Sequence, residues 1–154
     1  MNYATIKWTD IANGEGVRIS LFVSGCTHHC KNCFNQIAWD FDYGMAFDEE
    51  TQKKILNELD SGFIAGLSLL GGEPLEPQNQ RALYPFVKKV KETYPNKTIW
   101  CYTGFVFVER TGDLLAKEKN TEVTKELISL FDVLIDGPYV EELKDIRLKF
   151  LLPF

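Results

Sequence analysis

The chain has 154 residues, 45% of them hydrophobic, with 17 Lys and Arg against 22 Asp and Glu for a formal net charge of −5. That length and composition support one sizeable core and exclude a fibrous or disordered chain, while the scattered Lys and Arg leave no basic footprint for nucleic acid or an anionic membrane. No apolar stretch approaches the roughly 20 residues of a membrane span, and Met1-Asn2-Tyr3-Ala4-Thr5 lacks the plan of a signal peptide, so a single domain over residues 1–154 in the reducing cytoplasm is expected.

In chain order, residues 17–24 are rich in β-branched and apolar side chains and run into Gly25, which predicts a buried strand. Asp48 as a cap, and Ile55, Leu56 and Leu59 at helical spacing with Lys53, Lys54 and Glu58 on other faces, predict an amphipathic helix over 49–59 that Gly62 helps to stop. Residues 65–70 read as a second buried strand ending at Gly71-Gly72-Glu73-Pro74, and 79–93 as a second helix before Pro95. A third strand is predicted at 98–102, a helix at 122–131, and a short strand at 133–135 that stops at Asp136-Gly137-Pro138. The 105–121 region carries no assignable pattern.

Strands alternating with helices imply an α/β fold with a parallel sheet, whose ligands sit at the carboxyl ends of the strands. A closed eight-stranded barrel takes about 250 residues, so an open or partial parallel β/α barrel is expected. The cysteine-containing segment, Gly71-Gly72-Glu73-Pro74, Tyr102-Thr103-Gly104 and Asp136-Gly137-Pro138 would then gather on one rim.

Cys26, Cys30 and Cys33 fall within one glycine-led loop and are the strongest signal. In a reducing compartment such spacing points to metal or redox chemistry rather than disulfides, and thiolates are the ligands that iron–sulfur clusters select. Three thiolates fill three corners of a four-iron cube and leave one iron open for chemistry. A structural zinc site, completed by His28, His29 or Cys101, is the bland alternative. The glycine pair before Glu73 could be an ordinary turn, but at a strand end it would let backbone approach a ligand, with Glu73 placed to accept hydrogen bonds from an ammonium group.

The Cys-x3-Cys-x2-Cys loop, Phe34 directly after it, and Gly71-Gly72-Glu73-Pro74 resemble the radical S-adenosylmethionine enzymes. Asn13-Gly14-Glu15-Gly16-Val17-Arg18, the run from Cys26 to Asn35, Trp100-Cys101-Tyr102-Thr103-Gly104 and Asp136-Gly137-Pro138-Tyr139 look like the branch that activates anaerobic ribonucleoside-triphosphate reductases. The resemblance implies a [4Fe–4S] cluster held by Cys26, Cys30 and Cys33, with S-adenosylmethionine chelating the fourth iron. It implies that Gly72 and Glu73 contact the methionine moiety and that Asn32, Cys33 and Phe34 border the adenosyl part. Reductive cleavage of the cofactor would give a radical that takes a hydrogen atom from a glycine of the reductase large subunit. A one-electron donor of flavodoxin or ferredoxin type is implied as a second partner, and a homodimer stays open. An activator of another glycyl-radical enzyme of the formate-lyase type, a small radical enzyme acting on a nucleoside precursor, and a non-enzymatic zinc or iron–sulfur module are the competing readings.

At its carboxyl end the chain departs from that family, whose members continue into a polar stretch with Arg, Gly and Ser, whereas this chain reads Leu151-Leu152-Pro153-Phe154. An altered terminus or a simply docked tail would both account for this. Cys101, beside Ile99 and Trp100, reads as a small buried hydrophobe. His28 and His29 are expected to be solvated, as is the Glu141–Asp145 charge run, and Tyr102, Thr103 and Asp136 are rim positions without individual roles.

Overall fold

The computed structural model describes residues 1–138; the charge run at 141–145 and the terminus at 151–154 lie outside the described residues. In chain order the elements are β1 (Asn2–Asp10), β2 (Val17–Val23), β3 (Met45–Ala46), α1 (Glu49–Leu59), β4 (Ile64–Gly71), α2 (Pro77–Thr93), β5 (Thr98–Tyr102), β6 (Phe107–Val108), β7 (Asp113–Leu114), α3 (Thr124–Ser129) and β8 (Val133–Ile135). Single 3-10 turns occupy Gln36–Trp39 and Lys117–Lys119.

Among the described residues, six strands form one sheet in the order β3-β1-β2-β4-β5-β8. The pairs β2–β4, β4–β5 and β5–β8 are parallel, and β1 is antiparallel to both of its neighbours. The architecture is therefore α/β with a mostly parallel central sheet, as the alternation of elements requires. The antiparallel edge was not expected, and its composition explains why. Only Tyr3 and Asp10 of β1 are buried, β3 pairs with it at just two positions, and the register against β2 shifts twice, so no period of two survives in the sequence.

One face of the sheet carries the core. Ile19, Leu21 and Val23 of β2, Leu67 and Leu69 of β4, Ile99 and Cys101 of β5 and Leu134 of β8 cluster with Ile55 and Leu59 of α1, Leu83, Phe86, Val87 and Val90 of α2, and Leu127 and Ile128 of α3. Each fully buried Leu or Ile contributes about 1.5–3 kcal/mol, so stability is concentrated on this face. The alternating residues, including Arg18, Ser20, Ser68, Trp100 and Tyr102, share the other face and are largely polar or aromatic.

Local capping follows the sequence with two corrections. Asp48 Oδ1 accepts the Thr51 amide at 2.9 Å, an N-cap worth about 1 kcal/mol. Asp60, rather than Gly62, closes α1 by donating its N–H to the Asn57 and Glu58 carbonyls. The helix predicted over 122–131 is only Thr124–Ser129. Thr121 Oγ1 accepts the Val123 amide in a turn before it, and beyond it the Asp132 amide is already committed to the Ile99 carbonyl of β5. The 105–121 region contains the β6–β7 hairpin, whose two-residue strands are too short to show periodicity. Among the described residues no helix is long and apolar enough to cross a membrane.

Candidate functional site

The carboxyl ends of β2 and β4 are tied together directly. Beyond β2, Gly25 adopts φ +100°, donates to the Ala38 carbonyl at 2.7 Å, and is followed by Cys26, whose amide bonds the Trp39 carbonyl. Beyond β4, the Gly72 amide reaches the Val23 carbonyl and the Glu73 amide reaches the Gly25 carbonyl, both at 2.8 Å. A side chain at Gly72 would bring its Cβ to 2.7 Å from the Gly25 carbonyl oxygen and 2.9 Å from that of Ala38. Only glycine lets the two motifs approach so closely. The Cys30–Cys33 stretch is folded back by His29 and Asn32, both in the left-handed region, with the Cys33 amide donating to the Cys30 carbonyl at 3.2 Å.

Glu73 is 1% exposed and its carboxylate is met on both oxygens. Oε1 accepts the Thr103 hydroxyl at 2.6 Å and the Leu75 amide at 2.8 Å; Oε2 accepts the Gly104 amide and lies against His28 Nε2, each at 2.7 Å. The His28 ring also packs on Phe105, with centroids 4.3 Å apart, and the His29 ring stacks on Trp39 at 4.2 Å. His28 is thus built into the site rather than solvated, whereas His29 is exposed as expected, with one ring face on Trp39. Thr103 gains a defined role as a hydrogen-bond donor to Glu73. Asp136 Oδ2 accepts the Phe107 amide at 2.8 Å and so anchors the start of the β6–β7 hairpin, while burial raises the half-buried Tyr102 phenol to about 12.

Cys26 is buried, Cys30 and Cys33 are half-buried, and all three are free thiols. Burial pushes the Cys26 thiol up to about 11, and the nearby Glu73 and Glu76 charges add to this; the amides of His28 and His29 hydrogen-bond the sulfur and oppose the rise. Three free thiols on one short loop are the soft donors that iron–sulfur clusters select, so this donor set fits an iron–sulfur cluster held by the three cysteines. Among the described residues no three His, Cys, Asp or Glu side chains converge on one point, as a single tetrahedral ion needs. The ligands of a cube sit instead on separate irons. Cys101 lies in the apolar cluster with no exposure, and full burial holds its thiol well above the usual value. Phe34 is 92% exposed, and Asn32 is exposed beside it.

Sequence reading missed the second carboxylate of the site. Glu76 is as buried as Glu73 and bonds Thr27 and Lys119. Burial alone would raise its carboxyl, but the hydrogen bonds from Thr27 and Lys119 outweigh this and hold it below the ordinary value. The one available signal was its place between apolar Leu75 and a helix-starting proline, where a solvated side chain is not required.

A loop of three thiols at the end of a parallel strand, set against a buried carboxylate, is the kind of site an iron–sulfur protein builds, and the chain matches the family described as 4Fe-4S single cluster domain over residues 12–152. Similarity extends to proteins called anaerobic ribonucleoside-triphosphate reductase-activating protein. That of Haemophilus influenzae is 44% identical and that of Pasteurella multocida 43%, each across 94% of this chain and 88% of the relative. That of enterobacteria phage T4 is 38% identical across 93% of this chain and 84% of the relative. The chain belongs to this family of activating proteins.

Proposed function

We propose that the chain is a cytoplasmic radical S-adenosylmethionine activase, a single domain over residues 1–154, whose target is an anaerobic ribonucleoside-triphosphate reductase. The observation that carries this reading is the direct tie between the cysteine loop and the Gly72-Glu73 turn, the Glu73 amide on the Gly25 carbonyl at 2.8 Å, in a chain 37–44% identical to named activating proteins. Strands β2, β4, β5 and β8 serve as an open, partial barrel with its site at their carboxyl ends.

Cys26, Cys30 and Cys33 would hold a [4Fe–4S] cluster. When bound and reduced, that cluster would supply the one electron needed for reductive cleavage of the sulfonium of S-adenosylmethionine, chemistry that would allow hydrogen-atom abstraction from a glycine of the reductase. Thr103 and Leu75 hold Oε1 of Glu73 and the Gly104 amide holds Oε2; the His28 contact on Oε2 is the one a methionine ammonium would replace. Gly72 lets the Glu73 turn close on the cysteine loop and so would bring its backbone to the methionine moiety, and the exposed Phe34 ring, with Asn32 and Cys33, would offer a face to the adenosyl part. A flavodoxin- or ferredoxin-type donor would reduce the cluster.

Anaerobic reconstitution followed by S-adenosylmethionine and dithionite is expected to release 5′-deoxyadenosine. Adding the reductase large subunit should produce a glycyl radical signal by electron paramagnetic resonance. A fully loaded cluster that never cleaves the cofactor would overturn the reading, and cleavage without a glycyl signal would reassign the partner to another glycyl-radical enzyme.

A further inference from the structure

Glu76 lies three residues beyond Glu73, but its side chain serves a different segment. Oε1 accepts the Thr27 amide at 2.8 Å and the Thr27 hydroxyl at 2.5 Å, and Oε2 pairs with Lys119 Nζ at 3.0 Å. Lys119 Nζ also donates to Thr27 Oγ1 at 3.1 Å and lies over the Phe105 ring at 5.8 Å. Carboxylate, hydroxyl and ammonium therefore close a triangle around the peptide that follows Cys26. The third corner is itself held: Gln80, fully buried, donates to the carbonyls of Lys119 and Leu75 and accepts the hydroxyls of Thr121 and Thr124.

The wider loop has few such ties. Cys30 and Cys33 are joined to each other by a single backbone bond, and two left-handed residues shape the stretch around them. Two buried carboxylates grip the loop by side chains, Glu73 at the His28 ring and Glu76 at Thr27; the Glu76 contact takes in a backbone amide and adjoins the most buried of the three thiols. A buried ion pair is weak evidence of function, since such pairs are often replaceable by apolar groups. Here the carboxylate also receives a backbone amide, and that bond fixes the path of the loop.

We infer that Glu76 is a positioning residue for the cysteine loop, acting through the Thr27 amide, so that Cys26 meets the cluster in one orientation; this rests on the cluster-binding reading above. Residues that orient metal ligands usually cost about 10–100-fold in metal retention when lost. The amide bond and the charge can be separated by substitution. Glu76→Gln keeps an oxygen for the Thr27 amide, whereas Glu76→Leu removes both acceptor and charge.

The test uses the reconstituted full chain under anaerobic conditions and follows iron release to a ferrous chelator, with electron paramagnetic resonance of the reduced cluster. Glu76→Leu is expected to release iron about 10–100 times faster than the parent and to shift the g-values. Glu76→Gln is expected to stay near the parent in both. Parental behaviour of Glu76→Leu, or equal acceleration in both variants, would overturn the inference. Should Glu76→Leu fail to fold, Glu76→Met decides: it keeps the length of the side chain but takes the carboxylate acceptor from the Thr27 amide, so release should speed about tenfold or more, and unchanged release would sink the proposal. A parent that takes up no cluster defeats the functional reading itself, which is a separate result.

Discussion

Arg18, at the amino ends of the parallel strands, and Glu73, at their carboxyl ends, are equally buried, each 1% exposed, and they are satisfied in contrasting ways. Arg18 donates to Ser68 Oγ, Thr98 Oγ1 and the carbonyls of Glu15, Leu67 and Thr98, at 2.7 to 3.1 Å. Every one of those acceptors is neutral, and all but Glu15 belong to β4 or β5. Burial accordingly lowers the guanidinium to about 10, against the smaller pull of Tyr102, Asp132 and Glu15. Glu73 instead draws its donors from three connecting segments: His28 in the cysteine loop, Leu75 before α2, and Thr103 and Gly104 after β5. One end of the sheet is braced by strands that cannot move apart. The other is held by loops, whose bonds can be exchanged for those of a ligand.

The contrast can be broken most severely at the braced end. Arg18→Leu strands several buried acceptors at once and is expected to cost about 3 kcal/mol or more, read as a lowered urea midpoint. At the exchangeable end the effect should move from stability to chemistry. Glu73→Gln is expected to cost about 1–2 kcal/mol of stability while slowing 5′-deoxyadenosine release about a hundredfold, because a misplaced cofactor is enough for that. Equal stability losses from both substitutions would erase the distinction.

The smallest effect sharpens the comparison through pH. In the metal-free protein the Cys26 thiol is held up to about 11 from an ordinary value of 9.0, chiefly by burial. Because the folded form binds this proton more tightly, the stabilising contribution is complete below pH 9 and is lost as pH rises toward 11. The denaturation midpoint should fall across that window, and Cys26→Ala should flatten part of the fall. At pH 8, iodoacetamide should modify Cys30 and Cys33 before Cys26, with Cys26 labelling rising about tenfold per pH unit. Mass spectrometry of the labelled peptides reads the order.

The elements legible in the sequence were those with a core face. Residues 49–59, 98–102 and 133–135 match α1, β5 and β8 because their apolar spacing or β-branched runs record which side is buried. β1 left no such record, since most of it is exposed or half-buried. At the site, the cysteine loop and the Gly72-Glu73 turn were readable because their chemistry is carried by neighbouring residues. Glu76 and Lys119 were not, because 43 residues separate them and the segment between is fixed by long-range bonds such as Phe107 to Asp136 and Gln80 to Lys119. The Asn13–Arg18 run was recognised as a family feature, and its physical content emerges only in three dimensions: a Cβ at Gly14 would meet the Arg18 side chain at 2.7 Å.

Lys119 follows Thr27 by 92 residues, and the bond between them is what completes the grip on the loop. At ribosomal rates of about 5–20 residues per second, the three thiols therefore wait about 5–20 s after emerging for their clasp to emerge in turn. During that interval they are accessible to oxygen and to stray metals, so the order of residues along the chain gives iron delivery a reason to wait until Lys119 is in place.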